Sequence, residues 1–177
     1  MIKLHDLEFE PYISEEEINA AIDKVADKLN EDYRDANPIF LGVLNGSFMF
    51  ASEVIKRFNA DCEVSFVKLG SYEGTKTTGN VKTLLGLNQS LKDRHVILLE
   101  DIVDTGNTLE EINKILLKEE GANYEVATLF YKPEAYKKEF NIKYRGIEIP
   151  NKFIVGYGLD YDGLGRNLTQ IYKLKEN

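Results

Sequence analysis

Short, almost unbroken apolar runs separated by segments of helical periodicity constrain this chain more than any other feature. PIFLGVL (38–44) and HVILLE (95–100) are the clearest runs, with CEVSFVKL (62–69) and YEVATLFYK (124–132) beside them. A run without polar alternation is what a strand buried on both faces requires. Between the runs, FMFASEVIKRF brings apolar residues to helical spacing at Phe48, Ala51, Val54, Ile55 and Phe58. TLEEINKILLKEEG does the same at Leu109, Ile112, Ile115 and Leu116, with Gly121 as a C-cap. Strands alternating with helices predict an α/β fold built on a largely parallel sheet.

The remaining segments fit that plan. ISEEEINAAIDKVADKLNEDY predicts a helix: Ser14 and Glu17 have capping-box spacing, and Ile18, Ile22, Val25 and Leu29 form one apolar face. GSYEGTKTTGN (70–80) is polar, carries three glycines and predicts a mobile loop, after which VKTLLGL returns as a hairpin strand. KFIVGYGL (152–159) reads as one further strand. No repeat, low-complexity tract or linker divides the 177 residues, which predicts a single domain.

Charge and cysteine content exclude some functions. With 22 basic and 30 acidic residues the net charge is −8, so binding to nucleic acid or an anionic membrane starts from repulsion. One cysteine, Cys62, permits no intrachain disulfide and suits a reducing compartment; it reads as a small residue at a strand start. The segment MIKLHDLEFE has no long apolar core or small-residue cleavage site, and no stretch approaches the roughly 20 apolar residues of a membrane span. A cytoplasmic location is expected.

The chemistry concentrates in VILLEDIVDTGNTL (96–109). In open α/β sheets, ligands bind beyond the carboxyl ends of the strands. Gly106 allows close approach of backbone, and the N–H groups of the following helix start, with the hydroxyls of Thr105 and Thr108, make an anion site. Glu100 and Asp101 suit vicinal sugar hydroxyls or a divalent cation rather than a phosphate. One ligand carrying a ribose, a terminal phosphate and a magnesium-bound diphosphate would use every residue here. The plainer alternative is a solvated turn with Asp104 as helix cap.

At this point the sequence resembles a family. VILLEDIVDTGNTL is similar to the phosphoribosyl-diphosphate signature of type I phosphoribosyltransferases, and GVLNGSFMFASEV resembles the first active-site loop of their hypoxanthine-guanine branch. LGSYEGTKTTGNV resembles the flexible lid, LFYKPEAY the segment with the base-reading lysine, and IPNKFIVGYGLDYDGLGRNL the hood that closes over the purine. The resemblance covers roughly residues 38 to 170, in family order. It implies a core over about 38–150, a hood built from the N-terminal residues and about 150–177, and a sheet whose strand ends lie beneath that hood.

It also implies transfer of a 5-phosphoribosyl group from its diphosphate to a 6-oxopurine in purine salvage, with Mg²⁺ as cofactor and a homodimer or homotetramer as the assembly. Residue by residue, Glu100 and Asp101 would hold the ribose hydroxyls, Asp101 also through the metal shell. Asp104, Thr105, Gly106, Asn107 and Thr108 would hold the 5′-phosphate, with Asp104 near the purine as general base. Lys132 would point at the oxygen on C6, Phe153 would stack on the ring, and Ile154 would read the base through its backbone. Asp160 would ligate a second Mg²⁺, and Arg166 would contact diphosphate. Leu44, Asn45 and Gly46 would offer backbone amides to diphosphate through a strained or cis peptide. Ser71 and Tyr72 would close over the reacting centre. Plainer roles exist for several of these: surface lysine for Lys132, core packing for Phe153, solvated arginine for Arg166. Two departures stand out, Asn45 and Asn107, where the family often has lysine. An alternative is a regulatory protein that keeps this fold as a ligand sensor; the acidic charge counts against a DNA-binding role.

Overall fold

Ser14 opens the first helix with a complete capping box: its hydroxyl accepts from the Glu17 N–H and the Glu17 carboxylate accepts from the Ser14 N–H. The helix, α1 (Glu15–Tyr33), buries Ile18, Ile22, Val25 and Leu29 as the spacing requires. The computed structural model describes residues 1–70, 82–85, 90–117 and 123–176. Ser71, Tyr72, nearly all of the expected lid and the Gly121 C-cap lie outside the described residues.

Five parallel strands carry the core: β3 (Ile39–Leu44), β4 (Glu63–Gly70), β6 (His95–Val103), β7 (Asn123–Tyr131) and β8 (Tyr144–Glu148). Their order is β4-β3-β6-β7-β8, and β5 (Lys82–Leu85) pairs antiparallel to β4 at the edge, the hairpin expected there. Helix α2 (Phe48–Arg57) follows β3, and α3 (Asn107–Leu116) follows β6. The apolar runs are continuous because both sheet faces are covered. On β6, Ile97 and Leu99 pack with α1 and α2, while Val96 and Leu98 pack with Leu109, Ile112 and Leu116 of α3.

Three expectations change. Phe48 is exposed rather than inward, and Phe50 takes the core position on α2; Ile115 of α3 is only half-buried. The run 152–159 is not a strand of the main sheet. Only Ile154–Val155 (β9) is extended, and it pairs antiparallel with β10 (Ile171–Leu174). Positive φ at Gly156, Tyr157 and Gly158 turns the chain out of the strand, and their N–H groups bond to Leu159, Leu168 and Arg166 carbonyls.

Strands β1 (Ile2–Leu4) and β2 (Leu7–Ile13) complete a second sheet of order β1-β2-β10-β9, with Phe9, Val155 and Tyr172 at its centre. None of β1, β2, β8 and β10 stood out in the sequence. The loop leaving β9 brings Gly158 against the Gly46 carbonyl, so this small sheet meets the main one at the carboxyl end of β3. Among the described residues no helix is long and apolar enough to cross a membrane. Cys62 precedes β4, half-buried, and burial raises its thiol pKa, which fits the inert reading.

Candidate active site

The strand β6 delivers two acids at its carboxyl end. Glu100 is 4% exposed, and its Oε2 is buried with no hydrogen-bond partner. Burial, with the neighbouring Asp101 charge, raises its pKa well above the ordinary carboxylate range. Asp101 accepts a bond from the Ile102 N–H at 2.9 Å, yet burial still lifts its pKa to about 6. Arg166 lowers that value and Asp160 raises it, so both lie within electrostatic reach of Asp101. Burial thus disfavours the charged form of both acids while no ligand covers them. A group left unpaired at this depth is costly unless a partner arrives.

Beyond the acids, Gly106 adopts φ +84° as the N-cap of α3, with no side-chain cap bond. The cap reading of Asp104 is therefore overturned. The first N–H groups of α3 lack a side-chain acceptor and are available to an anion. A cavity of 180 Å³ is lined by residues 100–109. It shares Glu100, Asp101, Asn107 and Thr108 with a cavity of 390 Å³ that extends to Val43, Leu44, Gly46, Leu69, Gly70 and Glu111. Gly106 has a second reason to be glycine, since a Cβ there would lie 2.7 Å from both Tyr136 and Lys138 side chains.

The Asp104 carboxylate accepts a bond from Lys132 Nζ at 2.8 Å. The Lys132 N–H donates to the Val103 carbonyl, which fixes its backbone beside the loop, and the residue is 5% exposed. Lys132 is thus not a surface lysine. The Leu44–Asn45 peptide is cis, and Gly46 packs so tightly on Asp101 that a Cβ would fall 1.7 Å from Oδ2. Asn45 and Asn107 are exposed.

Arg166 donates to the Gly158 carbonyl and pairs with Asp160, both at 2.7 Å. The other Asp160 oxygen accepts from the Gly163 N–H. Phe153 is 45% exposed at the edge of the second sheet, where its ring meets Phe9 and Tyr161; Ile154 is buried in the main core. The structure thus brings together Gly46, Glu100, Asp101, Asp160 and Arg166 on one side, and the 104–108 loop with Lys132 on the other. The Phe153 contacts stay within the second sheet. Glu111, Leu69 and Tyr136 were missed by the sequence reading. Only Glu111 had a signal, at helical spacing after Asn107 and Thr108.

Among the described residues no three acidic, histidine or cysteine side chains form a cation cage. Mg²⁺ takes few carboxylates and completes its shell with water and substrate phosphates. Glu100, with an unpartnered oxygen, and Asp101 fit such a role; Asp160 would exchange its bond with Arg166.

A parallel sheet with an acid pair and a phosphate-sized loop at its carboxyl end, roofed by a small antiparallel sheet, defines a phosphoribosyltransferase of the type I fold. The family model described as a phosphoribosyl transferase domain matches residues 13–162, and the chain belongs to this family. Within it, the chain is 42% identical over 164 residues to the hypoxanthine-guanine phosphoribosyltransferase of Lactococcus lactis subsp. lactis, covering 92% of this chain and 89% of the relative. It is 40% identical over 165 residues to the protein of that name from Streptococcus pneumoniae strain R6, covering 93% and 92%. The crystal structure of a hypoxanthine phosphoribosyltransferase from Staphylococcus aureus superposes with a TM-score of 0.87 at 38% identity, covering 96% of this chain and 92% of that one.

Proposed function

We propose that this protein transfers the 5-phosphoribosyl group of phosphoribosyl diphosphate to hypoxanthine and guanine, releasing diphosphate, as an enzyme of purine salvage. The observation that carries this reading is the 2.8 Å contact between Lys132 and Asp104 beside the phosphate loop. A lysine has three donors, so Lys132 can keep Asp104 in place while donating to the oxygen on C6. Withdrawing electrons through that oxygen acidifies the ring N–H, and Asp104 is positioned to take the proton. The purine nitrogen then forms its bond to the anomeric carbon as the bond to diphosphate breaks, and diphosphate leaves with the electron pair.

The chain's other residues hold the reactants. The N–H groups of residues 105–108 bind the 5′-phosphate, which aligns the ribose over Glu100 and Asp101. Backbone at Leu44, Asn45 and Gly46, with Arg166, receives the diphosphate. Phe153 stacks on the purine and Ile154 contributes backbone groups. Ser71 and Tyr72 are proposed, from the resemblance alone, to close over the centre. Magnesium supplies charge neutralisation of the diphosphate when bound. The relatives named above are enzymes, which favours catalysis over ligand sensing. A homodimer or homotetramer in the cytoplasm is the assembly and location we propose with it.

The test is direct. The protein with Mg²⁺ and phosphoribosyl diphosphate should convert hypoxanthine and guanine to nucleotides, with diphosphate in equal amount. Binding of phosphoribosyl diphosphate without turnover of any 6-oxopurine would refute the reading in favour of a sensor. Sedimentation of the same sample reports the assembly.

A further inference from the structure

The loop that carries Asp160 and Arg166 has a second face that the reaction leaves unused. There, the Tyr161 hydroxyl donates to Asp6 Oδ1 at 2.9 Å, and His5 Nε2 meets the Asp162 carbonyl at 3.1 Å. His5 and Asp6 form the turn between β1 and β2, far from the site in sequence. The Tyr161 hydrogen bond holds the Asp6 carboxyl below its ordinary range and the phenol above its own, so at neutral pH a phenol donates to a carboxylate.

The Tyr161 ring links this turn to Phe153. It stands edge-on to Phe153, with centroids 5.9 Å apart and planes at 86°. Phe9 of β2 completes a three-ring group, 6.1 Å from Phe153 and 6.2 Å from Tyr161. Phe153 is 45% exposed, so its ring is covered only in part, with Phe9 and Tyr161 as its ring contacts. A stacking side chain that must be ordered on binding loses affinity, and one held in advance does not. The Tyr161 ring stands against the Phe153 ring on this side.

We propose that Asp6 and Tyr161 are positioning residues for the purine side of the site, with the β1–β2 turn bracing Phe153 through the Tyr161 ring. This rests on the reading of Phe153 as the ring that stacks on the base. The main-sheet half of the site, with Glu100, Asp101 and the 104–108 loop, does not depend on the brace. Asp160 and Arg166 share the braced loop but are held by their own ion pair, so the brace acts more on purine affinity than on phosphoribosyl diphosphate affinity.

Four variants test this: Tyr161→Phe, Asp6→Ala, Asp6→Asn and Phe153→Ala, each with KM for hypoxanthine and for phosphoribosyl diphosphate, kcat, and Tm. Tyr161→Phe and Asp6→Ala should each raise the hypoxanthine KM about three- to ten-fold, the worth of one hydrogen bond. The KM for phosphoribosyl diphosphate should rise by a clearly smaller factor, because the Arg166–Asp160 pair and the main-sheet groups remain in place. Asp6→Asn keeps an acceptor oxygen for the phenol and should restore the wild-type hypoxanthine KM. Phe153→Ala should raise the hypoxanthine KM at least as much as Asp6→Ala. If Phe153→Ala raises it and the Asp6→Ala and Tyr161→Phe variants do not, the brace is refuted while stacking stands. If Phe153→Ala leaves it unchanged, the stacking reading fails and the brace with it. Equal rises in both KM values, or no rescue by Asp6→Asn, would mean a general structural role and also overturn the proposal.

Discussion

Asp104→Asn separates the chemistry of this site from its packing, and the structure sets the size of both effects. The Asp104 side chain is 42% exposed, whereas that of Lys132 is 7% exposed. Exposed ion pairs are worth about 0.2–1 kcal/mol, and removing one partner of a buried pair costs about 3–5 kcal/mol. This pair has one partner inside and one at the surface, and the amide oxygen of asparagine still accepts from Lys132 Nζ. The loss should therefore be about 1–2 kcal/mol, or a fall of roughly 2–8 °C in Tm for a domain of this size. Asparagine cannot take a proton, so kcat should fall about 100-fold, with a much smaller change in phosphoribosyl diphosphate affinity. Conversion of hypoxanthine followed by absorbance, together with thermal melts of Asp104→Asn, Lys132→Met and the double variant, gives a full cycle. The two sites should couple by about 1–2 kcal/mol in stability. Near-wild-type turnover in Asp104→Asn would refute the general base. An unchanged Tm with no coupling would show that the contact adds nothing to the fold.

Two further outcomes follow from the acid pair and the phosphate loop. Burial holds the Asp101 carboxyl at about 6 in the folded protein, above its unfolded value, so the folded state keeps a proton that the unfolded chain loses first. That contribution is complete near pH 4 and is lost by pH 6, at most about 3 kcal/mol. Asp101→Asn should match the wild type in urea melts at pH 4 and exceed it at pH 7–8; a difference that does not vary with pH would refute the burial argument. Gly106→Ala places a Cβ 2.7 Å from Tyr136 and Lys138 at φ +84°, so it should cost about 1–3 kcal/mol and raise the KM for phosphoribosyl diphosphate at least about ten-fold. A wild-type KM would show that the loop's left-handed turn does not set the phosphate site.

What the sequence determined by itself was local or periodic. The Ser14–Glu17 box, the buried runs at 38–44 and 95–100, and the strand-loop-helix around 100–108 were legible because each is written in consecutive residues, although the second strand runs on to Val103. Motif resemblance added the roles, since a run such as VILLEDIVDTGNTL carries its own context. What only the tertiary structure decided depends on residues distant in the chain. The sequence left a helix cap open as the plainer role for Asp104; Lys132, 28 positions on, takes its carboxylate, and Gly106 is the cap. The run at 152–159 looked like a core strand because apolar content is the same in either sheet; the positive φ values at 156–158 end it. The raised pKa of Glu100 is likewise invisible in the sequence, because only packing removes the water around its carboxyl. The strands β1, β2 and β10 are half-exposed; β1 and β2 form a local hairpin, but the other partner of β2 is β10, at the far end of the chain. The β2–β10 pairing, like the contact of Asp6 with Tyr161, exists only once the two ends of the polypeptide meet.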